Sequence, residues 1–412
     1  MQTVPTSDLA NRTSGVEGPR VLVLTPLFPV RPGEKLGNFV LDQVRELSES
    51  CRVSVVVTRA WIPALLRERN PHKASIDADA YRHERFTVET LRYFSLPRYW
   101  LGTLAAPFMR LGMLARLRSI VRERGVQVIH AHGILAGFVA QSLAQECGLP
   151  YMVTVHGAED SPRFSNTEAK RRQIGIMLEQ ADSVILVGST LSEHLEQFVS
   201  TAKNFVVVPN GFRVFENLAP STRFPKRGFR VVTAANLDAN KGLDHLIRAV
   251  AMLRRQVDAP VELLIIGNGP ERDKLSKLAR DLGLAQDVRF TGFLSHRETE
   301  AEILGGDVFC LPAWREAFGV VYLEAMALER PTIGCRGQGP SDFITDGTTG
   351  YLVEPKSAES IRDVLQAIID DPCDAARVAA AGRSKVFAQL TWRQNAATML
   401  NLYQSLIARK TK

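Results

Sequence analysis

The sequence predicts an α/β fold made of two tandem, doubly wound parallel-sheet domains, and three observations carry that prediction. Short apolar, β-branched runs alternate with amphipathic helical stretches from Val21 onward, as in parallel sheets covered by helices on both faces. The alternation pauses at a turn-rich stretch holding Pro220, Ser221, Pro225 and Gly228 and resumes at Phe229. A length of 412 residues suits two domains of about 200 residues each.

Taken in order, residues 1–18 are polar, lack the apolar core of a secretory signal peptide and read as a disordered lead-in. Residues 19–212 form the first domain, with strands predicted over Val21–Thr25, Val53–Val57, Gln127–His130, Tyr151–Val155, Ser183–Val187 and Phe205–Val208. Residues 213–228 are a linker. Residues 229–394 form the second domain, with strands over Phe229–Thr233, Val261–Ile266, Val288–Thr291, Val308–Leu311, Thr332–Gly334 and Tyr351–Val353, then helices from Ser357. Residues 395–412 are a last helix that crosses back to the first domain, with Trp392 and Tyr403 as anchors. Tandem sheets of this kind leave a cleft, and their ligands bind at the carboxyl ends of the strands.

Composition excludes several classes. Five cysteines, spread singly with no CxxC spacing, give neither a disulfide framework nor a zinc site, which fits a reducing, cytoplasmic compartment. The stretch from Tyr99 to Leu117 is the nearest approach to a membrane span and is broken by Pro107, Arg110 and Arg116. Between Arg59 and Arg124 stand thirteen Lys or Arg against six Asp or Glu, so this segment holds the whole of the +7 net charge. With Trp61, Tyr99, Trp100, Phe108 and Met109 it has the composition of a surface that rests on anionic lipid at the inner face of the cell membrane, or of a solvated basic face. No nucleic-acid module accompanies the charge.

The segment richest in chemistry is Glu316-Ala-Phe-Gly-Val-Val-Tyr-Leu-Glu324, directly after a strand. A helix starting near Phe318 would offer the unpaired amides of Phe318 and Gly319, at the positive end of its dipole, to a diphosphate. Glu316 and Glu324 could then accept hydrogen bonds from two sugars of one elongated ligand. The same nine residues also read as an amphipathic helix with two solvent-facing glutamates.

Here the chain resembles the retaining, GT-B glycosyltransferases of family 4. Glu316 to Ala327 is similar to that family's E-x7-E motif with its E-A-M-A ending. Four further matches follow the family order: Val155-His156-Gly157, Pro209-Asn210-Gly211, Asn236-Leu-Asp-Ala-Asn-Lys241-Gly242, and Asp346-Gly-Thr-Thr-Gly350-Tyr-Leu-Val. The resemblance implies two Rossmann-like domains, the first for acceptor and the second for donor. It also implies a sugar-nucleotide donor, UDP- or GDP-linked, as co-substrate, with no metal and no other cofactor. His156, Lys241 and Glu316 become the catalytic candidates. Gly37, Asn236, Lys241, Gly267, Glu316, Phe318, Gly319 and Glu324 become the donor candidates, with Glu316 on the transferred sugar, Glu324 on the ribose and Lys241 on the diphosphate.

Asn236 departs from the family's arginine, leaving one positive charge unsupplied, and Arg336 is the nearest substitute in the sequence. The loop Gly337-Gln-Gly339-Pro-Ser-Asp342 replaces a common G-G-x-x-E and resembles a branch that assembles surface polysaccharide. Asn38, His132, Glu159 and Asp160 are acceptor candidates. The first loop, with Gly33 and Gly37, lacks the GxGxxG of a dinucleotide site. Gly267-Asn-Gly269 borders the donor base or simply packs. Asp77-Ala-Asp79 mimics a DxD metal site but follows no predicted strand. His130-Ala-His132 sets two imidazoles on one strand face without a third ligand nearby in the sequence.

The resulting expectation is a retaining transferase that moves a sugar from a nucleoside diphosphate to a glycan or lipid-linked acceptor in surface-polysaccharide assembly. It would act by stabilising the departing diphosphate and by front-face attack. Two alternatives stand beside it: a sugar-nucleotide epimerase of the same architecture, and a catalytically weak sugar-nucleotide-binding protein.

Overall fold

The computed structural model describes residues 17–32, 37–61, 76–94, 105–157 and 167–410. Gly33, Tyr99, Trp100, Glu159 and Asp160 lie outside the described residues. The chain divides into two compact units, one made of Met1–Pro209 with Trp392–Lys412 and the other of Asn210–Thr391.

In the first unit, seven strands form one parallel sheet: β1 (Arg20–Thr25), β2 (Arg52–Trp61), β3 (Thr87–Phe94), β4 (Val128–His132), β5 (Tyr151–Val155), β6 (Ser183–Leu186) and β7 (Phe205–Val207). Their order is β3-β2-β1-β4-β5-β6-β7. Every residue of β4, β5 and β6 is buried, because the crossover helices cover both faces of a parallel sheet. The helices are α1 (Asn38–Leu47), α2 (Ala105–Arg124), α3 (Ile134–Cys147), α4 (Glu168–Gln180) and α5 (Thr190–Glu196). Strand β3 is an addition to the sequence expectation. It is an edge strand of which only Thr87 is buried, so its apolar residues are interleaved with Glu89 and Arg92 and form no continuous run.

In the second unit, β8 (Phe229–Ala234), β9 (Val261–Ile266), β10 (Val288–Gly292), β11 (Val308–Cys310), β12 (Thr332–Cys335) and β13 (Tyr351–Val353) pair in parallel in the order β10-β9-β8-β11-β12-β13. Helices α6 (Leu243–Leu253), α7 (Arg272–Asp281), α8 (His296–Leu304), α9 (Val320–Ala327), α10 (Ala358–Asp370) and α11 (Pro372–Gln389) complete it. Local chemistry sets several starts. Ser295 and Glu298 form a reciprocal capping box at α8, and Asp371 caps α11 with Pro372 in its first turn.

The last helix, α12 (Trp392–Lys410), belongs to the first unit and packs on α1 and β4. Buried Asn395 accepts from Gln43 Nε2 at 2.7 Å and donates to the Pro209 carbonyl at 2.7 Å. Met399, Tyr403 and Leu406 join the core formed by Val44, Leu47 and Cys51.

In both sheets the strand order reverses beside the first strand, between β1 and β4 and between β8 and β11. Loops leaving the carboxyl ends of two such strands diverge, and the space between them receives ligands. In the first unit those loops carry Gly37 and Gly133. In the second they carry Asn236–Gly242 and Pro312–Gly319.

Candidate active site

The two loops at the switch point of the second sheet are tied together. Asn240 donates from Nδ2 to the Arg315 carbonyl at 2.8 Å, and the Trp314 amide donates to the Asn240 carbonyl at 3.0 Å. Gly242, at φ +67°, opens α6 where a Cβ would stand 2.3 Å from the Pro312 carbonyl oxygen, so only glycine fits. This stitching brings Lys241 Nζ to 2.8 Å from Glu316 Oε2. Glu316 is fixed from the other side as well: its amide donates to Gln338 Oε1 at 3.2 Å, and its carbonyl accepts from the Gly339 amide at 2.8 Å. The loop that departs from the G-G-x-x-E pattern is thus the clamp on Glu316.

Helix α9 starts at Val320, not near Phe318. Gly319 precedes it in the left-handed region, at φ +85°, and delays the helical turn by two residues. The amides at its open end are therefore those of Gly319, Val320 and Val321, and Phe318 is 2% exposed with its ring against Phe343. Glu324 consequently lies little more than one turn into the helix.

Glu324 Oε1 is 3.0 Å from His296 Nε2, the first residue of α8. The same nitrogen is 3.1 Å from Glu300 Oε1, and the Phe215 amide donates to Glu300 Oε2 at 2.9 Å. Burial disfavours a charged ring here, but hydrogen bonds to Glu300 and Glu324 and their charges outweigh it and raise His296 to about 10.

Other donor candidates have local roles. Asn236 is exposed, and its carbonyl accepts from the Asp238 amide at 2.8 Å. Gly267, at φ +129°, sits where a Cβ would meet the Ala235 carbonyl oxygen at 1.9 Å, and its amide donates to the Gly292 carbonyl at 2.9 Å. The amide of Gly267 is therefore spent within the fold. Arg336, the nearest substitute in the sequence for the charge that Asn236 lacks, has its guanidinium paired with Asp346 at 2.6 Å and Glu354 at 2.9 Å.

In the first unit, Gly37 precedes α1 at φ +77°, where a Cβ would meet the Leu27 carbonyl carbon at 2.5 Å. Asn38 is the first residue of that helix. His132 Nδ1 and His156 Nε2 are 3.0 Å apart with their rings stacked at 8°, and Phe39 packs on His156 at 4.7 Å. His130, two residues earlier on the same face of β4, is held by Tyr403 Oη and Thr154 Oγ1, each at 2.7 Å. Burial pushes His156 and His130 down to about 3 and His132 well below its ordinary value, so all three rings are neutral near pH 7. The third imidazole missing from the sequence neighbourhood of His130 and His132 is thus supplied by β5. Among the described residues no group of three or more His, Cys, Asp or Glu is arranged to hold a metal ion.

Comparison with known proteins decides the family. The profile of the glycosyl transferases group 1 matches residues 214–385, and that of the glycosyl transferase 4-like domain matches residues 36–211. The alpha-D-kanosaminyltransferase of Streptomyces kanamyceticus is 35% identical over 301 residues, which cover 68% of this chain and 76% of that one. This chain belongs to the GT-B glycosyltransferases of family 4. The glycogen synthase of Mycobacterium tuberculosis is 27% identical over 312 residues, 74% of this chain and 75% of that one. Among solved structures, HepE of Anabaena in complex with UDP and glucose superposes with a TM-score of 0.70 at 18% identity, covering 94% of this chain and 100% of that one.

The glycosyltransferase is therefore an enzyme with a sugar-nucleotide donor. His296, Asn240 and Gln338 are site neighbours that sequence reasoning did not find. His296 stands 28 residues from Glu324 and meets it only through the fold, although the Ser295–Glu298 capping box does mark it as the opening residue of a helix. Among the described residues, several cations of the basic segment are paired within the protein. Arg59 is buried and donates to the carbonyls of Pro26 and Phe28, Arg116 and Arg124 pair with Glu89, and Arg118 pairs with Glu146. Asp77 and Asp79 are likewise paired, with Arg31 and Arg82. Leu111, at 86% exposure, and Trp61 and Phe94, 6.0 Å apart, stay on the surface, as does Arg110. Among the described residues no helix is long and apolar enough to cross a membrane.

Proposed function

We propose that the enzyme moves a sugar from a UDP- or GDP-sugar to a glycan or lipid-linked acceptor, with retention of configuration. The observation that carries this reading is the convergence, at the switch point of the second sheet, of Lys241, Glu316, the open end of α9 and Glu324. A cation beside a helix N-terminus suits a diphosphate. The two carboxylates flank that position and suit the hydroxyls of the transferred sugar and of the ribose. Lys241 and the amides of Gly319, Val320 and Val321 stabilise the charge that develops on the departing diphosphate. On the family resemblance we read His156, neutral and braced by His132, as the group for the transferred sugar, and Asn38 as an acceptor contact. The acceptor attacks on the face the diphosphate leaves, and a departing phosphate oxygen takes its proton. No step requires a metal.

Support for the donor class comes from HepE, whose complex holds UDP and glucose, and from the sugar-transferring relatives. Calorimetry with UDP, GDP, ADP, dTDP and CMP, repeated on Glu324→Ala and Lys241→Ala, tests the donor site. One nucleotide should bind tightly and lose affinity in both variants, while binding of none would leave a degenerate scaffold. A lipid-linked acceptor in surface-polysaccharide assembly is supported by Trp61, Phe94, Leu111 and Arg110, which would lie against an anionic membrane at the inner face of the cell membrane. Flotation with anionic liposomes, lost on Leu111→Asp with Arg110→Glu, is the expected result. Equal flotation of wild type and variant removes the membrane from the proposal.

A further inference from the structure

We propose that His296 is a positioning residue for the donor nucleotide: its Nε2–H holds one oxygen of Glu324 so that the other faces the ribose hydroxyls. This rests on the reading of Glu324 as the ribose ligand.

The geometry singles His296 out. Its Nε2 lies 3.0 Å from Glu324 Oε1 and 3.1 Å from Glu300 Oε1, so one nitrogen faces two carboxylates. Both oxygens are acceptors, so the nitrogen between them carries the proton, and a positive charge on the ring offsets the repulsion of two carboxylates placed this close. The raised pKa of the ring agrees with that arrangement. His296 cannot turn away from its partners. The capping box fixes its backbone, and the Phe215 ring packs edge-on at 5.5 Å, itself covered by the Arg297 guanidinium.

The division of labour between the two glutamates follows. Glu300 is fully buried, sits one turn from His296 on the same helix, and has its second oxygen satisfied by the Phe215 amide. It anchors the imidazolium. Glu324 comes from a different helix, and among the described residues its Oε2 accepts no hydrogen bond. A glutamate whose carboxylate is not held samples several rotamers, and each must be given up when a ligand binds. With Oε1 held by His296 that freedom is already lost, and Oε2 remains to accept from a diol.

This makes His296 act through Glu324 on the ribose alone, which separates positioning from general support of the fold. Binding of UDP and GDP is measured by calorimetry, each beside its 2′,3′-dideoxy counterpart, on wild type, His296→Ala, His296→Gln and Glu324→Ala. Wild type should prefer the ribose form. His296→Ala should weaken the ribose form about tenfold, roughly the worth of one well-made hydrogen bond, and the dideoxy form less than about twofold. His296→Gln, whose amide also donates, should keep most of the preference, and it carries the test if the alanine variant does not fold. Equal losses for both nucleotides in either His296 variant would make the histidine structural and overturn the proposal. So would an unchanged ribose preference in His296→Ala when Glu324→Ala abolishes it. If Glu324→Ala itself keeps the preference, the ribose reading of Glu324 fails, and that outcome is distinct from the previous two.

Discussion

Lys241 Nζ stands 2.8 Å from Glu316 Oε2, with 19% and 17% of the two side chains exposed. The ammonium is balanced inside the protein, so a diphosphate must share it with the carboxylate. At partly buried sites a unit charge at this distance is worth several times its value in water. On the proposed reading, Glu316 opposes the bare nucleotide and serves the transferred sugar. Glu316→Gln should raise the affinity for a nucleoside diphosphate about threefold to tenfold and lower the transfer rate about a hundredfold or more. Lys241→Ala should weaken both. Calorimetry and a transfer assay on the same preparations decide it, and a Glu316→Gln variant that binds the diphosphate no better shows that the two do not compete.

Gly319 sets where α9 begins. At φ +85° a side chain is strained, and its Cβ would stand 2.4 Å from the Tyr322 ring, which is fully buried and hydrogen-bonded to the Leu311 carbonyl. Gly319→Ala should destabilise the second unit by about 2–3 kcal/mol. Gly347→Ala is the control, since Gly347 has a similar φ of +66° with nothing within 4 Å of its Cβ; it should cost only about 1 kcal/mol. Urea unfolding that ranks the two equally removes the steric argument.

These residues mark what is legible in a sequence. Both sheets are, because their central strands are buried on both faces and appear as short, mainly apolar, β-branched runs. The edge strand Thr87–Phe94 is not, since solvent reaches it and its pattern is mixed. Lys241 and Glu316 stand out as candidates because each lies in the loop after a strand, and Glu324 because it follows Glu316 at a fixed spacing. The start of α9 is misread by two residues because a left-handed glycine leaves no mark beyond its identity. The pairing of Arg336 with Asp346 and Glu354 is not legible either, because Glu354 reaches it from beyond β13. Charge counted along a chain likewise overstates a surface, since Arg59 is buried and Arg116 and Arg118 are paired.

Asn395 closes the return of α12. It is 5% exposed, and one side chain serves Gln43 and the Pro209 carbonyl together. Asn395→Ala strands the buried Gln43 donor and the half-buried Pro209 carbonyl, for a loss of about 2–3 kcal/mol. Asn395→Asp keeps the acceptor but places a charge beside the Pro209 carbonyl and should be no better. Hydrogen exchange should show α1 and α12 opening together in both variants. Independent opening of α12 in the variants would show that the polar link, rather than the apolar packing of α12 on α1, carries the coupling.

The two units should respond to pH with opposite sign. In the first, His130 and His156 are lowered to about 3 and His132 well below its ordinary value, mainly by burial. The unfolded chain protonates such rings below about pH 6.5, and the folded chain does not until far lower. Their contribution is thus complete above that pH and is lost as pH falls toward 3. Within this window each ring contributes a slope of about 1.4 kcal/mol per pH unit, roughly 4 kcal/mol for the three together. In the second unit His296 is raised to about 10 by Glu300 and Glu324 against its burial. Its contribution is complete below about pH 6.5 and is lost as pH rises through 10. Urea titrations between about pH 6 and pH 4 on wild type and His132→Phe should differ in slope by about 1.4 kcal/mol per pH unit, whatever the absolute cost of the substitution. Equal slopes would mean that His132 already carries a proton in the fold, and the hydrogen bond between His132 Nδ1 and His156 Nε2 would then join a charged ring to a neutral one.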